Sequence, residues 1–181
     1  MNLTPIAILA LALAALVGIV AQWSGSLSIF RRWDEDVIDW VRATTAERFR
    51  ATNVRDVTAT GFEASLSRRW SSATLRLYYA GLTVDAPALT IISRYLLEYA
   101  RHQSGGSISV PVGAGVRVAL NVDHRHRSDA QSYDLVSLRL SRGFKRATMF
   151  VDATNLLDET YHEVVGVAMP GRWITAGVTI K

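Results

Sequence analysis

The run Asp123-His124-Arg125-His126-Arg127 holds two histidines two residues apart. On a strand, positions two apart share a face, and paired imidazoles there can ligate a divalent metal. Asp123 and Asp129 are close in sequence, but no third ligand is evident, and the simpler reading is a hydrated strand end entering an external loop. His102 and His162 stand alone. Acid–base work would need positioned carboxylates. Glu63 and Asp123 fall on predicted inward faces with Arg76, Arg117 and Arg139, where opposite charges on neighbouring strands stabilise a polar interior by pairing. Gly105 and Gly106 lack the Gly and Lys spacing of a phosphate loop and read as a bend or close-packed spot. No G-x-S-x-G elbow exists. Asn155, Asp158 and Glu159 mark a strand exit, with side chains suited to local backbone hydrogen bonds. No catalytic, cofactor-binding or metal residue is therefore assigned, ligand-binding residues stay unknown, and the chain is expected not to be an enzyme.

Strands must position these side chains. From Ser24 onward the residues alternate with a period of two. "SGSLSIFRRW" and "DVIDWVRA" read as one long strand kinked near Asp34. Phe62, Ala64 and Leu66 oppose Glu63, Ser65 and Ser67. Leu75, Leu77 and Tyr79 oppose Thr74, Arg76 and Tyr78, and Val118, Leu120 and Val122 oppose Arg117, Ala119 and Asn121. The last strand sets Ile174, Ala176, Val178 and Ile180 against Thr175, Gly177, Thr179 and Lys181. About eight strands of about ten residues result, long enough to cross a bilayer at a tilt.

Connector lengths alternate. Residues 43–53, 82–100, 125–132 and 156–170 are long, whereas 70–72, 111–114 and 143–144 are short. Outer-membrane barrels pair short periplasmic turns with long external loops. A soluble sandwich would cover its aliphatic face with a second sheet and has no reason for this alternation. Trp33, Trp40, Trp70, Tyr133, Phe144 and Trp173 sit near strand ends, as in an interfacial girdle.

Composition sets outer bounds. The chain has 181 residues, 49% hydrophobic and 20% charged, with no cysteine, which excludes disulfides and thiolate metal sites. A net charge of +4, with no basic run, argues against nucleic acid as a partner. Residues 5–21 form an apolar block between signal-peptide and transmembrane length. Residues 1–22 are read as an apolar, signal-like helix or an anchor, and 23–181 as barrel.

The ending "FVDATNLLDETYHE", then "MPGRW" and the alternating last strand, resembles the C-terminus of TonB-dependent outer-membrane receptors, nearest the cobalamin and siderophore subgroup. "SLSIFRRWDEDVIDWV", "NVRDVTATGFEASLS" and "YARHQ" resemble upstream barrel strands of that family. The resemblance implies a barrel of about 22 strands around a plug, with a segment that contacts TonB. This sequence has room for about eight strands and no plug or contact segment. The expectation is therefore an all-β, antiparallel transmembrane barrel portion in the outer membrane, truncated and not transport-competent alone. Its expected partners are membrane lipid and the barrel-assembly machinery, with a siderophore or corrinoid as ligand and no cofactor. The last strand is expected to close against the first. The alternative is a self-contained eight-stranded barrel with a structural or adhesion role.

Overall fold

The computed structural model describes residues 23–85, 91–95, 99–164 and 166–180. The apolar segment 1–22, where a signal-like helix or anchor is expected, lies outside the described residues. Among those described, no helix is long and apolar enough to cross a membrane.

The chain is all-β. Eight long strands are β1 (Trp23–Arg42), β2 (Arg50–Trp70), β3 (Ala73–Asp85), β5 (Ala100–Gly113), β6 (Val116–Arg127), β7 (Ser132–Gly143), β8 (Ala147–Thr154) and β11 (Trp173–Ile180). Three short ones are β4 (Ile92–Ser93), β9 (His162–Val164) and β10 (Val167–Ala168). One antiparallel sheet runs β11-β8-β7-β6-β5-β3-β2-β1-β4, and β9 and β10 form a separate hairpin. The expected kink is a bulge between Asp34 and Val37, where Asp36 takes φ 54°. An extra residue there bends the strand and turns the following side chains over.

The short turns shrink to Ser71–Ser72 and Ala114–Gly115, with 144–146 between β7 and β8. Ala114 and Gly115 both have positive φ (50° and 73°), the pairing that a tight hairpin turn requires.

Register carries the alternation across the whole sheet. Leu27 faces Ala64, which faces Tyr79. Leu75 faces Ile108, then Leu120, then Leu138, then Ala153, then Ile174. A one-residue slip at any pair would flip that strand's side chains, so the shared aliphatic face fixes the register. This face is uncovered. Leu27, Ile29, Leu77, Leu140, Val151 and Val178 are all exposed, and Ile180 reaches 80%. No second sheet lies on it among the described residues, so it is built for lipid rather than for a sandwich core.

Four cross-strand pairs place an aromatic ring over a glycine: Phe30 on Gly61, Phe62 on Gly81, Tyr78 on Gly105 and Phe150 on Gly177. A Cβ at Gly177 would lie 2.6 Å from the Phe150 ring, and one at Gly61 2.5 Å from Phe30. The ring takes the space that the missing side chain leaves, a device that pins register in curved sheets. Gly105 is thus the close-packed spot expected from sequence.

The expected closure of the last strand on the first is not found. β1 and β11 are at opposite sides of the hydrogen-bonding order, with no pairing between them among the described residues. Among the described residues the far edge of β1 meets β4, through Val41 and Arg42, and the Arg94 N–H, which donates to the Trp40 carbonyl at 2.9 Å. The fold described is therefore an open barrel wall of eight long strands.

Candidate functional site

The tightest packing gathers at the long-connector end. Val41, Val57, Ala59 and Tyr133 are buried there, as are Asp39, Ser93, Arg127 and Asn155. Asp39 Oδ2 accepts from Ser93 Oγ at 2.5 Å, tying the connector after β3 to the top of β1.

The main cluster is a cap. The connector between β8 and β11 carries the β9–β10 hairpin, which docks beside β6 and β7. The Tyr161 ring packs at a tilt against Tyr133, with centroids 4.6 Å apart. Arg125 pairs with Glu163 and, at 3.4 Å, with Asp123. Arg127 donates to the Glu163 carbonyl at 3.2 Å. His162 Nε2 meets Asp129 Oδ2 at 2.7 Å. Burial alone would raise the Asp129 carboxyl, but the Gln131 backbone N–H, His162 and Arg127 outweigh it and hold the group below its ordinary value. Burial, with Glu163 adding, pushes the Tyr161 hydroxyl up.

The cap starts from a turn built by the Asn-Leu-Leu-Asp stretch. Asn155 and Asp158 take φ 47° and 57°, which Asn and Asp tolerate best among residues with a Cβ. Asn155 Oδ1 accepts the Glu159 N–H at 2.9 Å, and its Nδ2 donates to the carbonyls of Glu159 (2.9 Å) and Pro170 (3.2 Å). Asp158 accepts the Arg172 N–H at 2.7 Å, and Arg172 Nε donates to the Leu156 carbonyl at 3.0 Å.

The residues singled out by sequence fall in several places. His124 pairs with Asp134 (2.8 Å) and His126 with Ser132 (2.7 Å), on the aliphatic face near its upper margin. His102 stacks on His126 and meets the Tyr79 hydroxyl at 2.8 Å. Among the described residues no group of three His, Asp or Glu could hold a metal ion. On the polar face Arg139 pairs with Asp152 at 3.3 Å and lies over the Phe150 ring. Arg117 donates to Ser109 Oγ and the Ser72 carbonyl. Asp123 accepts from Gln103 at 3.2 Å. Glu63 instead lines two shallow cavities of ≈ 340 and ≈ 250 Å³ with Gln103 and Ala80. Sequence reasoning missed the cap residues Arg127, Tyr161 and Glu163, and it set Asp129 near His124 and His126 rather than against His162. The one available signal was the polar alternation running on past Asp123 to Arg127.

This geometry defines a class: an antiparallel wall of an outer-membrane β-barrel protein, one face for lipid and one polar, in agreement with the outer-membrane location read from the sequence. Among solved structures the chain is similar to OmpT, an outer-membrane protein of Vibrio cholerae. Against the in-vitro folded trimer form the identity is 12% and the TM-score 0.51, over 75% of this chain and 41% of that one. Against the outer-membrane expressed form they are 10% and 0.50, over 88% and 51%. The chain thus spans about half or less of the length of these proteins. No family model matches, and no curated protein matches.

These findings overturn the resemblance to TonB-dependent receptors. The matched folds are OmpT outer-membrane proteins, and no family model or curated protein supports a receptor. The physical reason lies in the motif itself. Its Asn, Asp and Arg side chains satisfy backbone groups at a strand exit, a local need that many strand-to-loop junctions share.

Proposed function

We propose that the chain is a small, self-contained outer-membrane β-barrel with a structural or adhesion role, presenting the 155–172 cap at the cell surface. The observation that carries this reading is the cap itself: a long connector fastened to the wall by two ion pairs, a contact between two tyrosine rings and a buried asparagine. A fastened loop suits a displayed surface better than a moving gate. The even number of long strands makes β1 and β11 antiparallel, so the two can pair in a bilayer, where an unpaired backbone group costs several kcal/mol. Membrane lipid and the assembly machinery are its expected partners. The reading is non-enzymatic: Asp123 and Asp152 of the polar face are engaged by Gln103, Arg125 and Arg139.

The test is a planar bilayer. An eight-stranded interior is just wide enough for side chains to fill. Protein extracted from outer membranes should be monomeric in detergent and electrically silent. Stable conductance steps, or assembly only as two copies, would overturn the self-contained reading.

A further inference from the structure

We propose that the short-turn end of β1, β2 and β3 binds an anionic glycerophospholipid, with Arg68 holding its phosphate; this rests on the outer-membrane reading above. Trp23 and Arg68 are direct cross-strand partners, and Trp70 follows two residues along the same face. The Arg68 guanidinium lies over both indoles, 5.0 Å from the Trp23 centroid and 4.7 Å from that of Trp70, and the two rings meet edge-on at 6.3 Å. Cation–π contact fixes the plane of the fork but satisfies none of its N–H donors. Arg68 Nε is buried and has no hydrogen-bond partner among the described residues. The rings shield Nε and set the plane of the guanidinium, whose terminal N–H groups make no hydrogen bond among the described residues, and such an arginine suits the bidentate geometry of a phosphate.

The surroundings select the ligand. Immediately above Arg68 on the lipid face are Leu27, Leu66 and Leu77, all exposed, with the small Gly25 and Ala64 between them. That is a bed for an acyl chain. The segments 68–76, 109–118 and 141–148, which form this end of the wall, contain Arg68, Arg69, Arg76, Arg117, Arg142, Lys145 and Arg146 and no Asp or Glu. Among the described residues, the Asp and Glu side chains therefore lie elsewhere along the strands or at the opposite end. A zwitterionic headgroup would bring an ammonium with no carboxylate to meet it, whereas a phosphatidylglycerol-type headgroup brings only the phosphate charge and hydroxyls. Anionic lipid is favoured on charge as well as geometry.

The experiment uses the full chain reconstituted in vesicles, with Trp33, Trp40 and Trp173 each replaced by Phe so that Trp23 and Trp70 report. Phosphatidylglycerol and phosphatidylcholine with brominated acyl chains are titrated separately as quenchers. We expect the anionic lipid to be preferred by about fivefold, and Arg68→Gln to cut the preference below about twofold. Arg68→Lys should retain part of it. Arg142→Gln, at the same end but four strands away, should leave it intact. Inorganic phosphate should displace no more lipid than chloride at matched ionic strength; displacement by phosphate alone would mean a site for the free ion and would overturn the lipid assignment. Quenching without headgroup preference, or equal loss in the Arg68 and Arg142 variants, would overturn the site while leaving the membrane reading intact. No quenching by either lipid would instead overturn the membrane reading on which the site rests.

Discussion

Asn155 is 4% exposed and makes three side-chain hydrogen bonds to backbone groups on both sides of the cap connector. Removing them leaves buried backbone polar groups unsatisfied, at a cost of about 1–3 kcal/mol. Asn155→Ala should therefore lower the temperature at which the detergent-solubilised protein loses its compact form on a semi-native gel. An unchanged transition would mean that water replaces the side chain without loss. The glycines divide by what their neighbours can do. A Cβ at Gly105 would run into the Val122 backbone carbonyl as well as the Tyr78 ring, whereas at Gly177 its three nearest atoms all belong to the Phe150 ring. A ring can rotate away and a backbone carbonyl in a ladder cannot. Gly105→Ala should thus destabilise clearly more than Gly177→Ala in the same assay; the reverse order would refute the ring-over-glycine account. Sequence alone marked Gly105 and Asn155 as special residues. It could not pair Tyr78 with Gly105, since that requires the register between β3 and β5.

At the scale of elements, the cap is held by charge and is sensitive to acid. Asp129 is depressed in the folded state, so its contribution is present above the ordinary carboxylate range, near about pH 4, and is lost as pH falls through its lowered value. Arg127 and His162 face it directly, and the Arg125–Glu163 pair lies alongside. A nitroxide at Val167→Cys, on the exposed β10, should be immobile at neutral pH and gain mobility at strongly acid pH. Asp129→Asn should raise the mobility at neutral pH and shrink the acid-induced step. A variant indistinguishable from the parent at every pH would show that the ion pair does not hold the cap. The long strands were legible because period two repeats within each one, and the short and long connectors because turn residues interrupt it. The cap was not legible. His162 and Asp129 are 33 residues apart, and Arg125 and Glu163 are 38 apart. Such pairs leave no periodic trace, so a long polar connector reads only as a loop.

The whole molecule is governed by its two faces and its two edges. The faces were readable from sequence, since an aliphatic stripe continued over eight strands needs a partner, and the alternating connectors named lipid rather than a second sheet. The edges were not. Strand order, with β1 and β11 apart, depends on curvature and stagger summed over the sheet rather than on any residue type. Motif likeness misled for a related reason: "NLLDETY" and "PGRW" encode a turn and its anchor, and a turn can serve different barrels. The central claim is that alternate residues of one strand face lipid and a polar interior, and β6 offers its cleanest test. Single cysteines at Val118, Ala119, Leu120, Asn121 and Val122 need no background mutation, since the chain has no cysteine. Each carries a nitroxide in reconstituted protein, and collision with dissolved oxygen is compared with collision with a water-soluble nickel chelate. The account predicts oxygen-dominated contact at 118, 120 and 122, with that dominance lost at 119 and 121. Uniform access to the chelate, or the opposite phase, would contradict it.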